Sequence, residues 1–555
     1  MTATPRSVDV AKVREWLADG GEVAFVDVRE EGQHGEGHPL LAVNLPYSRL
    51  EIEIGHLVPR LSCRIVLVDD GDGVSGKTAR RLAGLGYGSI HVLAGGAPAW
   101  AAAGYRLFPS SNVPSKAFAE IIEHECATPA ISAEELGRLR HSGQQVTVLD
   151  SRPLDEYARF HVPGAVSCPG AELVHRFADA VPSPDTLVVV SCAGRTRGII
   201  GAQSLINAGV PNRVMSLAGG TQGWRLAGLE LASGLGDGLR PVSADAAATA
   251  RRRAAEVAAR YGIRHIDRAT LAQWQAEAAR RTTHLLDVRT PEEFAAGHLP
   301  GSVSAPGGQL VQAIDRWVGT RGARLVLADS DGTRAIMTAH WLKQLGWDVQ
   351  VLDHALDGTA LETGSAAPDT ALPPAVPEIA PAEAARLLAE DAAGICLEPR
   401  VAYRQAHPPG AVWSTRPRLD RLPPATLKAK AIVLFSTDSA LARLAAVDLA
   451  ELGGSRIALV SGGTQAWSSA GLRSWHRPTT LPTRIASTIC SGTTTVTPAT
   501  ARRCRPICAG KPNSLIRSPP TASPGSSSAC RFPNKAVPLA AGCATGSIAD
   551  GRALR

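Results

Sequence analysis

The chain has 555 residues, 44% hydrophobic and 20% charged, a globular balance that excludes a largely disordered or collagen-like polymer and suggests three or four domains. No apolar run reaches eighteen residues and the N-terminal stretch lacks the apolar core of a secretory signal, so a soluble, cytoplasmic protein with no membrane partner is expected. The net charge of +7 is uneven: residues 477–555 hold eleven Lys or Arg against Asp550 alone, which leaves −3 on the first 476 residues, and no nucleic-acid partner is expected from a charge that sits in the tail.

Along the chain one unit recurs four times. An apolar run ends in an acid, any residue and an Arg, and a His follows. The first copy has Asp27, Arg29 and His38, the second Asp150, Arg152 and His161, and the third Asp287, Arg289 and His298. The fourth has Glu398, Arg400 and His407. A second β-branched run follows in each copy, at Ile65 to Val68, Leu187 to Val190, Leu325 to Leu327 and Ile432 to Phe435. Next come a turn and a stretch of helical spacing, such as Arg197 to Gly209. A glycine turn closes three copies alike, Gly95 to Trp100, Gly219 to Trp224 and Gly462 to Trp467, whereas the third reads DHALDG. Short strands alternating with helices predict α/β modules, each a small parallel sheet flanked by helices. Ligands of such sheets bind beyond the carboxyl ends of the strands.

The expected modules span residues 8–108, 130–232, 264–362 and 377–475. The segment with Arg251, Arg252 and Arg253 reads as a helical linker whose arginines form a solvated face. The Pro/Ala-rich stretch before residue 381 reads as a stiff linker.

Only the second copy has a cysteine after its second run: Cys192, Ala193, Gly194, Arg195, Thr196, Arg197 and Gly198. A thiol at a helix N-terminus meets free N–H groups and the positive end of the dipole, which favour a thiolate of lowered pKa. Successive N–H groups in such a loop make an anion cradle, and the two arginines add charge. A nucleophile beside an anion cradle suits covalent catalysis on an anionic substrate. A free cysteine is more commonly a buried structural thiol, but two arginines around a glycine turn favour the reactive reading here.

These motifs together resemble the rhodanese-family sulfurtransferases, over roughly residues 8 to 475 as four tandem rhodanese-like αβα modules. The resemblance implies that Cys192 is catalytic. It would take a sulfane sulfur from a small anionic donor, thiosulfate or a persulfide, and pass it to a thiol or cyanide acceptor. It implies that the backbone from Ala193 through Gly194, Arg195, Thr196 and Arg197 to Gly198 holds the donor, with Arg195 and Arg197 attracting the anion. A non-catalytic persulfide carrier or scaffold that recruits a protein sulfur acceptor is the alternative. Phosphatases on a related fold have five residues between Cys and Arg where Cys192 and Arg197 have four, which leaves a phosphatase as a minor alternative.

Forty-two residues after the acid, the first copy has Asp69 and the third Asp329, while the fourth has Thr437 nearby. No carboxylate can carry a persulfide, so these three modules read as degenerate. Asp150, Arg152, His161 and Trp224 recur in type in copies without the cysteine and read as structural. Cys168 reads as a semi-buried bystander rather than a resolving thiol. No metal and no cofactor are expected. Residues 484–555, rich in Thr, Ser, Pro, Arg and Cys, read as disordered or as a frameshifted tail.

Overall fold

The computed structural model describes residues 5–476 except 237, 240, 359 and 365–371, so the expectations for residues 484–555 and part of the Pro/Ala linker lie outside the described residues. Four five-stranded sheets follow one another, each with the same strand order. In the second the order is Ala130–Ile131, Val214–Leu217, Leu187–Ser191, Val146–Asp150 and Val166–Ser167, paired in parallel. The strand Leu187–Ser191 is buried along its whole length. Its alternate residues serve two faces. Val188 and Val190 pack with Ile199, Ala202 and Leu205 of the following helix and with Phe118 and Ile122 of helix Val113–Glu125. Leu187 and Val189 pack with Leu136, Tyr157 and Trp224 on the other face. A β-branched run with helices on both sides explains why this strand reads as continuously apolar rather than alternating.

From Val146–Asp150 the chain runs first to the edge strand Val166–Ser167, then crosses to Leu187–Ser191 and on toward the opposite edge. The connections therefore diverge between the two central strands, where Asp150 and Ser191 are register partners. A crevice opens beyond the carboxyl ends of strands at such a switch point. The segments that follow Asp150 and Ser191 are the Arg152 turn and the cysteine loop.

The described residues divide into two compact units, the first and fourth sheets in one and the second and third in the other. In the second unit the expected helical linker is the helix Ala244–Tyr261. It is more than a connector. Ala246, Ala250, Ala254, Val257 and Ala258 are buried, and the helix packs on Glu172–Ala180 of the second module and Thr333–Gln344 of the third. One hydrophobic core runs from Phe118 and Leu173 through Ala254 to Leu327 and Trp341. Arg251 is half-exposed, as expected of a solvated face, but Arg253 lies over the Phe177 ring. In the other unit a buried ion cluster joins the first and fourth modules. Arg416, with no exposed side chain, bonds Glu51 at 2.5 and 2.7 Å and Asp448 at 2.6 Å. Arg81 donates to Asp448 at 2.5 Å and to Glu451. Among the described residues no helix is long and apolar enough to cross a membrane.

Candidate active site

Cys192 stands directly after the buried strand Leu187–Ser191, and the helix Thr196–Asn207 starts four residues later. The loop between them is held by the glycine turn of the same module. The N–H of Thr221 donates to the Cys192 carbonyl at 2.8 Å, and that of Gln222 to the Ala193 carbonyl at 3.1 Å. With those carbonyls bound outward, the loop's amides turn inward, and the backbones of Gly194 and Gly198 favour the charged form of the thiol. Gly220 makes the approach possible. Its φ is +53°, and a Cβ there would stand 2.2 Å from the Cys192 carbonyl oxygen. This is the physical reason for the repeated Gly-Gly.

The cradle has the same form where the cysteine is missing. In the first module Asp69 takes the place of the thiol, and its carboxylate accepts from Gly71 and Ser75 N–H, each at 2.9 Å. Those residues lie two and six positions after Asp69, as Gly194 and Gly198 lie two and six after Cys192. In the third module Asp329 accepts from the N–H groups of Asp331 at 3.2 Å, Gly332, Arg334 at 2.8 Å and Ala335 at 3.1 Å. Burial, with Asp331 beside it, holds Asp329 above the usual carboxylate range although Arg334 and the amides of Ala335 and Gly332 oppose the rise. In the fourth module only two residues separate the strand Ile432–Ser436 from the helix Ser439–Glu451, against four in the second and third. Thr437 there donates to Glu398 at 3.1 Å.

The electrostatics depart from the sequence expectation. Cys192 is only 2% exposed, and burial pushes its thiol above the ordinary value despite Arg197 and the amides of Gly198 and Gly194; Asp150 adds to the rise. The expectation of a lowered pKa is therefore corrected: desolvation of the sulfur outweighs one guanidinium. Neither arginine stands free. Arg195 is half-exposed and turns to Glu120 and Glu123 of helix Val113–Glu125. Arg197 is buried and forms a bidentate pair with Glu156 at 2.7 and 2.8 Å. Burial pushes Glu156 up, but Arg197 more than offsets this and holds it below the usual carboxylate range. Arg197 also donates to Gln309 of the third module at 3.3 Å.

The residues read as structural are tied as such. Arg152 is fully buried, chelates Asp150 at 2.8 and 2.7 Å and donates to the Phe160 carbonyl at 2.6 Å. His161 bonds the Tyr157 carbonyl through Nδ1 at 3.0 Å and stacks on the Tyr157 ring. Trp224 is buried and donates to the Glu230 carbonyl at 2.7 Å. Cys168 is fully rather than partly buried, and burial pushes its thiol far up, which suits a bystander.

Glu156, Gln309 and the Thr221 and Gln222 amides were not singled out by the sequence. Glu156 carries a readable signal: it lies six residues after Asp150, as Glu293 lies six after Asp287, and Glu293 pairs with Arg334. Gln309 has no such signal, because it comes from another module.

The rhodanese-like domain family matches residues 9–103, 132–227 and 270–360, just over half of the chain. The chain belongs to the rhodanese family. The fourth sheet, outside those matches, repeats the strand order of the other three. A solved thiosulfate sulfurtransferase from Pseudomonas aeruginosa is 45% identical, with a TM-score of 0.78, over 86% of this chain and 92% of its own. A similarity of that extent makes this rhodanese an enzyme of the sulfurtransferase kind. The HTH-type transcriptional regulator Rv0324 of Mycobacterium tuberculosis is 37% identical over 105 residues, 19% of this chain. That stretch spans 45% of the regulator's length.

Proposed function

We propose that this rhodanese transfers a sulfane sulfur from a small anionic donor, thiosulfate or a persulfide, through Cys192 to cyanide or a thiol. The observation that carries the reading is the common cradle. The amides two and six positions after Asp69 hold a carboxylate, and their equivalents in the second module face a thiol. A loop whose amides hold carboxyl oxygens in a sibling module, with a nucleophile in their place, suits a reaction whose intermediate is an anionic persulfide.

The steps balance without a cofactor. The Cys192 thiolate attacks the outer sulfur of thiosulfate, a Cys–S bond forms, and the bond to the sulfonate sulfur breaks. Sulfite departs with the electron pair. Cyanide then attacks the outer sulfur, thiocyanate leaves, and the thiolate returns. The amides of Gly194 and Gly198 stabilise the sulfur in both states, and Arg197 offsets its charge. Arg195, half-exposed and held by both Glu120 and Glu123, contributes no free positive charge. The shorter Cys-to-Arg spacing and the engagement of Arg197 by Glu156 weigh against phosphate as the substrate. Asp69, Asp329 and Thr437 make the other three modules degenerate on this reading.

The test is steady-state thiosulfate:cyanide turnover of wild type beside Cys192→Ala, with intact mass read after donor treatment. Turnover in the wild type and its loss by at least about 1000-fold in the variant are expected, the scale for removing a covalent nucleophile. A one-sulfur mass gain on Cys192 without turnover would instead establish a persulfide carrier serving a protein acceptor. No persulfide at Cys192 would overturn both readings.

A further inference from the structure

The second and third modules meet through an exchange of equivalent residues. Arg197 lies 47 residues after Asp150, and Arg334 lies 47 after Asp287. Glu172 and Gln309 each lie 22 residues after the same two aspartates. Arg334 donates to Glu172 of the second module at 2.9 Å, and Arg197 donates to Gln309 of the third at 3.3 Å. Between these contacts the backbones touch: a Cβ on Gly308 would stand 2.9 Å from the Gly170 Cα. The two contacts thus form a pseudo-twofold pair.

The exchange is symmetric in position and unequal in charge. Arg334 faces two carboxylates, Glu172 and Glu293, and its own cradle is filled by Asp329. Arg197 faces one carboxylate, Glu156, and one neutral amide, and its cradle holds Cys192. The charged groups around the thiol are otherwise Asp150 and Arg152, which pair with each other, and Arg195, which turns to Glu120 and Glu123. One guanidinium with one carboxylate is neutral; a second carboxylate would make the cluster negative and repel an anionic donor.

We infer that Gln309 is a positioning residue that the third module supplies to the second: it orients Arg197 without adding a second carboxylate to the Arg197–Glu156 pair, so that no net negative charge faces the Cys192 sulfur or the donor. The degenerate module thereby completes the working site. This inference rests on the sulfur-transfer reading, but its main readout does not. The test compares full-length wild type with Gln309→Glu, Gln309→Lys and Gln309→Ala. It measures iodoacetamide alkylation of the Cys192 peptide against pH, followed by mass spectrometry, and thiosulfate:cyanide kinetics.

Gln309→Glu should move the alkylation midpoint up by about one pH unit and raise the thiosulfate KM about tenfold, with kcat within about twofold of wild type. Gln309→Lys should move both the other way, and Gln309→Ala, which removes the acceptor that orients Arg197, should raise the thiosulfate KM about threefold while moving the midpoint less than either charged variant. An unmoved midpoint in both charged variants, or a fall in kcat alone, would overturn the inference and show a purely structural contact. If Gln309→Glu fails to fold, the sign of the Gln309→Lys shift decides. Absence of wild-type turnover alongside the expected midpoint shifts would refute the sulfur-transfer reading and still support the role of Gln309.

Discussion

At the scale of the residue, the difference between the second module and its siblings is the choice of atom placed in one cradle. Asp69 and Asp329 fill it with carboxylate oxygens that satisfy the amides, whereas Cys192 leaves those amides on a soft, weakly accepting sulfur. The second module therefore keeps unspent hydrogen-bonding capacity, which on the proposed reading a persulfide or a donor oxyanion would use. Replacing Cys192 by Asp should convert the second module to the state of its siblings. We expect Cys192→Asp to remain folded, with an unfolding free energy within about 1 kcal/mol of wild type, and to show no turnover and no persulfide. Thermal or urea unfolding beside intact mass checks both halves. A collapse in stability would mean that the cradle of the second module does not accept a carboxylate as theirs do.

At the scale of the element, the site depends on a turn that carries no chemistry of its own. The helix starting at Gly220 presents its first amides to the cysteine loop, and only a glycine at positive φ fits there. Gly220→Ala should cost about 2–4 kcal/mol and reduce turnover further than stability alone explains, because the loop carbonyls lose their partners. Urea unfolding and kinetics at a temperature where the variant is folded separate the two effects. Much of this was legible in the sequence. The second runs became the strands Arg64–Val68, Leu187–Ser191, Arg324–Ala328 and Ile432–Ser436, because long β-branched runs bounded by turns leave few alternatives. The Cys192 loop and the structural roles of Arg152, His161 and Trp224 were readable because siblings without the cysteine keep the same residue types. Ion partners were not. Glu120 and Glu123 lie on a helix ahead of the module, and Gln309 lies more than a hundred residues beyond Arg197. Local spacing reports periodicity and motifs, but only tertiary packing assigns the counter-ion of a given arginine. The expected thiol acidity failed for a related reason: sequence shows which charges are adjacent and says nothing of how dry the sulfur is.

At the scale of the whole molecule, the modules combine by position from the ends inward, the first with the fourth and the second with the third. Neither combination rests on apolar contact alone. In the unit of the first and fourth modules, Arg416, with its side chain wholly buried, bridges Glu51 and Asp448, and Arg81 adds a second cation on Asp448. Removing one partner of such a cluster leaves charge in a dry setting, which costs more than the intact cluster gains. Arg416→Ala should therefore destabilise that unit by about 3 kcal/mol or more while leaving Cys192 alkylation unchanged. Hydrogen exchange resolved by module would show faster opening of the first and fourth together. Exchange accelerated in the fourth alone would refute this coupling.

The nested order has a consequence for the nascent chain. The second and third modules are consecutive, so their shared core can close soon after both leave the ribosome. The first module, ending near residue 108, waits for Arg416 and Asp448 of the last, with roughly 340 residues, from 108 to 448, still to be made. At elongation rates of roughly 5–20 residues per second, the delay is about 17 to 70 seconds. During that interval Glu51, Arg81 and Tyr47 face water or whatever else is near, lacking the Arg416 and Asp448 that later enclose them. Charged groups at a surface that will later be buried keep an unfinished module hydrated, whereas an apolar face of the same size would invite aggregation. An ion cluster that contributes modestly to final stability can thus serve as the solubilising face of a half-made protein.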